Sequence, residues 1–184
     1  MSGKKYSIRI FLACLILPAV TASTTPARAQ GKPPLEYQIK AAFLFNFTRF
    51  IHWPASAYAS ADAPFVIGIV GDNPFGNYLN DLVIGEQADG HSIIIRHYPD
   101  GVDISGCQLL FINTSSPAKL KALLSSAVQQ NTLTVSDVNN FINLGGMVRF
   151  FKEDNRIKME VKLAAVKAAQ LEISAKLLQV AKVK

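Results

Sequence analysis

The sequence predicts an α/β domain: a mainly parallel sheet flanked by helices on both faces, with a C-terminal antiparallel hairpin and a terminal amphipathic helix. Three observations carry this. The apolar, β-branched runs Phe65–Val70, Ser92–Tyr98 and Cys107–Asn113 read as buried strands. Helix-compatible segments separate or follow them, and that alternation favours parallel pairing under helices. Met147–Lys152 and Arg156–Leu163 flank Glu153-Asp154-Asn155, the pattern of a hairpin about a tight polar turn.

At the N-terminus, Lys4, Lys5 and Arg9 precede an apolar run from Ile10 to Val20, and Ala27-Arg28-Ala29 supplies a small-x-small cleavage pattern. Residues 1–29 are therefore predicted to be a cleavable signal peptide, cut before Gln30. The run is too short for an ordinary membrane span, so no stable membrane insertion is expected. Cys14 lies inside the apolar run, which argues against a lipid anchor. The leader contains four of the 19 basic residues and none of the 13 acidic ones, so the mature chain carries 15 against 13, a net charge of +2 rather than +6. That balance removes the charge argument for nucleic-acid binding.

Residues 30–34 read as a linker, and residues 35–184 as a single domain with one substantial core. Residues 35–52 lack Gly and Pro and form an apolar helix that Pro54 ends. Its aromatic residues exceed what one buried face absorbs, so Tyr37, Phe43, Phe47, Phe50 and Trp53 are the candidate partner or dimer surface. Phe75–Val83 predicts a short helix, and Pro117–Gln130 a longer one opened by Ser115-Ser116-Pro117, with a serine cap and proline at the first turn. Thr132–Val135 predicts a fourth strand, with Ser136-Asp137 capping a short helix. Gly145-Gly146 predicts a close approach that a Cβ would block. Ala164–Val183, free of Gly and Pro, predicts the terminal amphipathic helix.

No motif assembles a catalytic site. Gly71-Asp72-Asn73-Pro74-Phe75-Gly76 shares the spacing of a phosphate-binding loop, but Asn77-Tyr78 stands where Lys-Ser/Thr is required. Asp72, Asn73 and Gly76 remain a candidate ligand loop, against the simpler reading of a strand-to-helix turn. His52, His91 and His97 share no metal-ligand spacing, and no serine sits in a nucleophile elbow. No cofactor or metal is expected, and the protein is expected not to be an enzyme. The mature chain keeps Cys107 alone, so it cannot form an internal disulfide; burial in its apolar run is one reading, a redox or intermolecular role the other.

The segment Glu36 to Pro54 resembles the opening helix of YfiR-type proteins. Gly71–Gly76, Leu133–Asp137, Phe141 with Gly145-Gly146-Met147, and Ile173–Leu178 are similar to later motifs of that family, in order along essentially the whole mature chain. The resemblance implies a periplasmic α/β repressor, a homodimer, that restrains the periplasmic region of an inner-membrane diguanylate cyclase and lowers cyclic di-GMP signalling and biofilm formation. It also implies an outer-membrane lipoprotein able to sequester it. The cysteine pairs of some members are missing here. The alternative from a different class is a periplasmic module binding a nucleotide or aromatic ligand near Gly71–Gly76.

Overall fold

The computed structural model describes residues 32–98, 103–114 and 116–184. The expected signal peptide lies outside them, as does Ser115 of the expected cap. The uninterrupted helix-forming stretch gives α1 (Leu35–Phe50), after which Ile51 turns to extended geometry and opens β1 (Ile51–His52). The helix thus stops two residues before its expected end. A single 3-10 turn follows at Ala55–Ala57.

The chain continues through β2 (Phe65–Gly71), α2 (Tyr78–Val83), β3 (Gln87–Ala88), β4 (His91–Tyr98), β5 (Leu109–Asn113), α3 (Pro117–Gln129) and β6 (Leu133–Ser136). The hairpin strands are β7 (Val148–Glu153) and β8 (Arg156–Val161). Asp154 and Asn155 turn the hairpin with φ of 50° and 59°, the left-handed pair that a two-residue loop requires. Among the described residues the main sheet has eight strands in the order β10-β8-β7-β6-β5-β2-β4-β3, where β10 is Ala181–Val183. Strands β4, β2, β5, β6 and β7 are mutually parallel, and β7 and β8 antiparallel.

Alternation along the strands divides the core. Phe65, Ile67 and Ile69 face α1 and α2, packing with Ala41, Leu44, Phe47 and Leu79, whereas Val66, Val70, Leu110 and Ile112 face Leu120, Leu123, Leu124 and Ala127 of α3. Each fully enclosed Phe contributes roughly 1.5–3 kcal/mol of apolar burial. The α3 cap forms as expected: Ser116 Oγ accepts from Lys119 N at 3.5 Å, with Pro117 in the first turn. Gly146 lies against Phe141, where a Cβ would come within 2.2 Å of the ring.

The terminal helix is a correction. Instead of one helix over 164–183, the chain forms α4 (Leu163–Ala168), β9 (Glu172–Ile173), α5 (Ala175–Gln179) and β10. Gln170 adopts φ 58°, β9 pairs antiparallel with β1 (Ile51↔Ile173), and β10 pairs parallel with β8. Ser174 caps α5 through Leu177 N, while its own N–H donates to Phe50 O at 2.9 Å. These distant pairings outweigh the segment's local preference for helix. A second correction is that β6 leads into successive turns, not a short helix: Ser136 Oγ donates to Ile112 O and accepts from Val138 N.

Candidate functional site

Helix α1 contributes Ala41, Leu44 and Phe47 to the core. Of the five aromatic residues expected on a partner surface, Phe47 and Trp53 lie in the core, at 0% and 2% exposure. Phe47 stacks on Phe150, and the Trp53 indole meets Phe65 edge-on at 4.8 Å while its Nε1–H donates to Gln108 O. Tyr37, Phe43 and Phe50 are half-buried against the same core, Tyr37 edge-on to Phe75 and Phe43 beside Phe150. The large apolar side chains that α1 leaves outward are Leu35 and Ile39, 70% and 38% exposed.

Between these apolar contacts sits a charge. Lys40 is 2% exposed, and its Nζ donates to Glu36 Oε1 and to Asp137 Oδ2, both at 2.6 Å. It also lies 4.4 Å from the Tyr37 ring centroid, and the Tyr37 hydroxyl donates to Asp137 Oδ2 at 3.4 Å. Burial alone would lower the Lys40 pKa, but the hydrogen bonds and charges of Asp137 and Glu36 outweigh it and the net direction is upward. Burial, then the Asp137 charge, raises the Tyr37 hydroxyl. Lys40 thereby stays charged and Tyr37 neutral, and the cluster works as an electrostatic clip between α1 and the turn after β6. It opens onto a trough of about 380 Å³ lined also by Asn139, Arg149 and Lys152.

The sequence offered a faint signal for this clip: Lys40 is a lone cation among Ile39, Ala41 and Ala42, on a helix whose other formal charges are Glu36 and Arg49. Its partner Asp137 stands 97 residues away, read as a helix cap. Gln108 gave no signal. Buried at 1% exposure, its side chain accepts from Val66 N and donates to Ala57 O, joining β2, β5 and the segment after α1.

The Gly71–Gly76 loop lies at the switch point, where α2 leaves β2 toward one face and α3 leaves β5 toward the other. Asn73 spends its side chain within the turn, Oδ1 accepting from Phe75 N and Nδ2 donating to Gly76 O. Asn113 Nδ2 donates to Asp72 O at 2.8 Å and ties the mouth of the crevice. Asp72 itself is exposed. Cys107 is 1% exposed, with its thiol near Leu109 O and Val66 O; burial pushes its pKa up to about 12. His52 and His91 lie in a hollow where Tyr58 stacks on His91, with centroids 3.9 Å apart, and His97 is exposed. Among the described residues no group of three or more His, Cys, Asp or Glu side chains could hold a metal, and no helix is long and apolar enough to cross a membrane.

A family model described as YfiR/HmsC-like matches residues 37–182. The chain belongs to the YfiR/HmsC-like family. The matched span runs from Tyr37 in α1 to Lys182 in β10, so this YfiR/HmsC-like unit includes the Lys40–Asp137 clip, the switch-point loop and Cys107. No curated protein matches the chain. Among solved structures, the YfiR/HmsC-like chain is similar in fold to a conserved domain protein from Vibrio cholerae O1 biovar El Tor strain N16961. The TM-score is 0.50 at 11% identity, over 83% of this chain and 60% of that one. This chain therefore spans less than two thirds of that protein's length.

Proposed function

We propose that this protein is a periplasmic regulator that acts by contact, restraining the periplasmic region of an inner-membrane diguanylate cyclase and so lowering cyclic di-GMP and biofilm formation. The observation that carries the reading is the family match across residues 37–182, since the YfiR/HmsC-like family is one of periplasmic regulatory proteins. Support comes also from α1, which is anchored by its core aromatics and by Lys40 and still presents Leu35 and Ile39 to solvent. Exposed apolar side chains on a rigid helix, beside half-buried Tyr37 and Phe43, have the composition of a contact surface. A second copy of the chain and a sequestering outer-membrane lipoprotein are further occupants of this reading.

The test is capture by crosslinking in the cell envelope. The native protein recovers a membrane cyclase, a Leu35→Asp/Ile39→Asp double variant of unchanged thermal stability does not, and deletion of the gene raises cyclic di-GMP. Unchanged cyclic di-GMP on deletion, with no cyclase recovered, would sink the proposal.

A further inference from the structure

Beyond the end of β6 the fold leaves a groove of about 600 Å³, a volume within the range of small-molecule sites. It is lined by Asn139, Asn140 and Asn143 from the turns after β6, by Arg149 on β7, by Glu160 on β8, and by Lys162 and Lys184. Among its lining side chains the groove therefore has three cations and one carboxylate. That carboxylate is engaged, because Arg149 Nε donates to Glu160 Oε1 at 2.5 Å with both side chains largely covered. The pair leaves the two terminal nitrogens of Arg149 without a protein acceptor among the described residues. Lys184 Nζ, exposed, has none either, and Lys162 uses one donor in a long 3.3 Å contact with Ile142 O.

The amides add to this surplus of donors. Asn143 Nδ2 donates to Asn140 Oδ1, which leaves Asn140 Nδ2 uncommitted. The walls are fixed by the sheet. Arg149 and Glu160 are register partners across the hairpin, Lys162 N donates to Met147 O, and Lys184 N donates to Val161 O at 2.9 Å. Asn140 holds φ 66°, and the turn behind it closes through Gly146 N to Phe141 O. Convergent guanidinium, ammonium and amide donors on rigid backbone are the chemistry that receives a carboxylate or a phosphate. The groove also adjoins the carboxyl end of β6, the end of an α/β sheet at which ligands bind.

We propose that this groove, built from Asn140, Arg149, Lys162 and Lys184, binds a small organic oxyanion bearing a carboxylate or phosphate group. The site is separate from the outer edge of α1, and the inference goes beyond regulation by protein contact without depending on it. The Arg149–Glu160 pair gives it a built-in counter-ion: an arriving oxyanion uses the guanidinium edge that Glu160 leaves open, while the Phe151 ring centroid lies 5.3 Å from the guanidinium carbon.

Titration of the purified chain with inorganic phosphate and with succinate, followed by amide NMR at constant ionic strength against a chloride control, tests it with no partner present. Expected are saturable shifts at Asn140, Asn143, Arg149 and Lys184; a response to phosphate alone or succinate alone assigns the group recognised. Arg149→Gln and Glu160→Gln break the same ion pair, yet they act oppositely on binding. The first weakens it about tenfold or more, and the second, by freeing the guanidinium, tightens it several-fold. Lys184→Gln, at an exposed position, weakens it about threefold without touching the pair. Shifts no different from chloride, Arg149→Gln and Glu160→Gln moving affinity in the same direction, or an unchanged affinity in Lys184→Gln would each overturn the proposal.

Discussion

The Lys40 ammonium lies 2.6 Å from the Asp137 carboxylate across 97 residues of chain, so the middle of the first helix is pinned to the turn that follows β6. The two partners are unequally covered, with side-chain exposures of 3% and 21%. That asymmetry ranks the substitutions. Asp137→Ala leaves the buried ammonium with Glu36 as its remaining carboxylate partner and is expected to cost about 2 kcal/mol, whereas Lys40→Met leaves two carboxylates that reach water and costs less. Glu36→Ala, at a partner with 40% exposure, costs under about 1 kcal/mol. Urea unfolding of the three variants checks the order.

Gly71→Ala is expected to destabilise by roughly 2–4 kcal/mol, for two reasons that add. Its φ is +83°, and a Cβ would stand 2.0 Å from the backbone oxygen of Asn113, an atom with no rotamer to yield. Gly146→Ala meets the Phe141 ring instead and forces a core side chain aside. Both variants should lower the urea midpoint, and Gly71→Ala should also disturb Asp72 amide signals, because the Asn113–Asp72 bond sits beside the clash.

Tyr58→Phe is expected to be neutral or to stabilise by about 1 kcal/mol, since the hydroxyl is buried without a hydrogen-bond partner among the described residues. A thermal melt decides it. A loss of more than about 1 kcal/mol would mean that the hydroxyl has a partner in solution.

Stability should fall in alkali. Burial holds Cys107 at about 12 against an ordinary 9.0, and Tyr58 at about 12 against 10.0. Between those limits the unfolded chain releases protons that the native state keeps. Their contribution is therefore complete below about pH 9 and lost as pH climbs toward 12. The raised Lys40 acts in the same sense above its own ordinary value of 10.5. Urea midpoints from pH 8 to 11 should decline, and less steeply in a Tyr58→Phe/Cys107→Ala double variant.

Cys107 should resist thiol reagents at pH 8 in the native state and react at a rate set by opening of the fold, because the thiolate is disfavoured and its sulfur enclosed. Non-reducing gels should show a monomer band. Rapid native labelling, or a disulfide-linked dimer, would contradict the burial.

Strands β2, β4 and β5, the Ser116-Pro117 helix start and the Asp154-Asn155 turn were legible because each is encoded within a few residues, by apolar runs, caps or tolerance of positive φ. The final segment was not. Leu163 to Val183 has no Gly or Pro to mark a break, and the hydrogen bonds that divide it come from Phe50, Ile51 and Met159, more than twenty residues upstream for Met159 and over a hundred for the others. The site followed the same rule. Crowded aromatics in α1 marked the helix as important, yet a count of rings does not separate Phe47, inside, from Phe43, at the boundary. The groove about Arg149 gathers residues from 139 to 184 that share no motif; only the register of β7 with β8 and of β8 with β10 brings them together.

Trp53 is the chain's one tryptophan, and its indole is enclosed, held edge-on to Phe65 and hydrogen-bonded to Gln108 O. Its emission is therefore a thermometer of the core and not an indicator of the surface. It should be blue-shifted and shielded from acrylamide in the native protein, and should move to the red in one step with unfolding. Ligands or partners that settle on the outer face of α1, or in the groove beyond β6, should leave it dark to their arrival. Binding studies will need a label placed elsewhere, while folding studies need none.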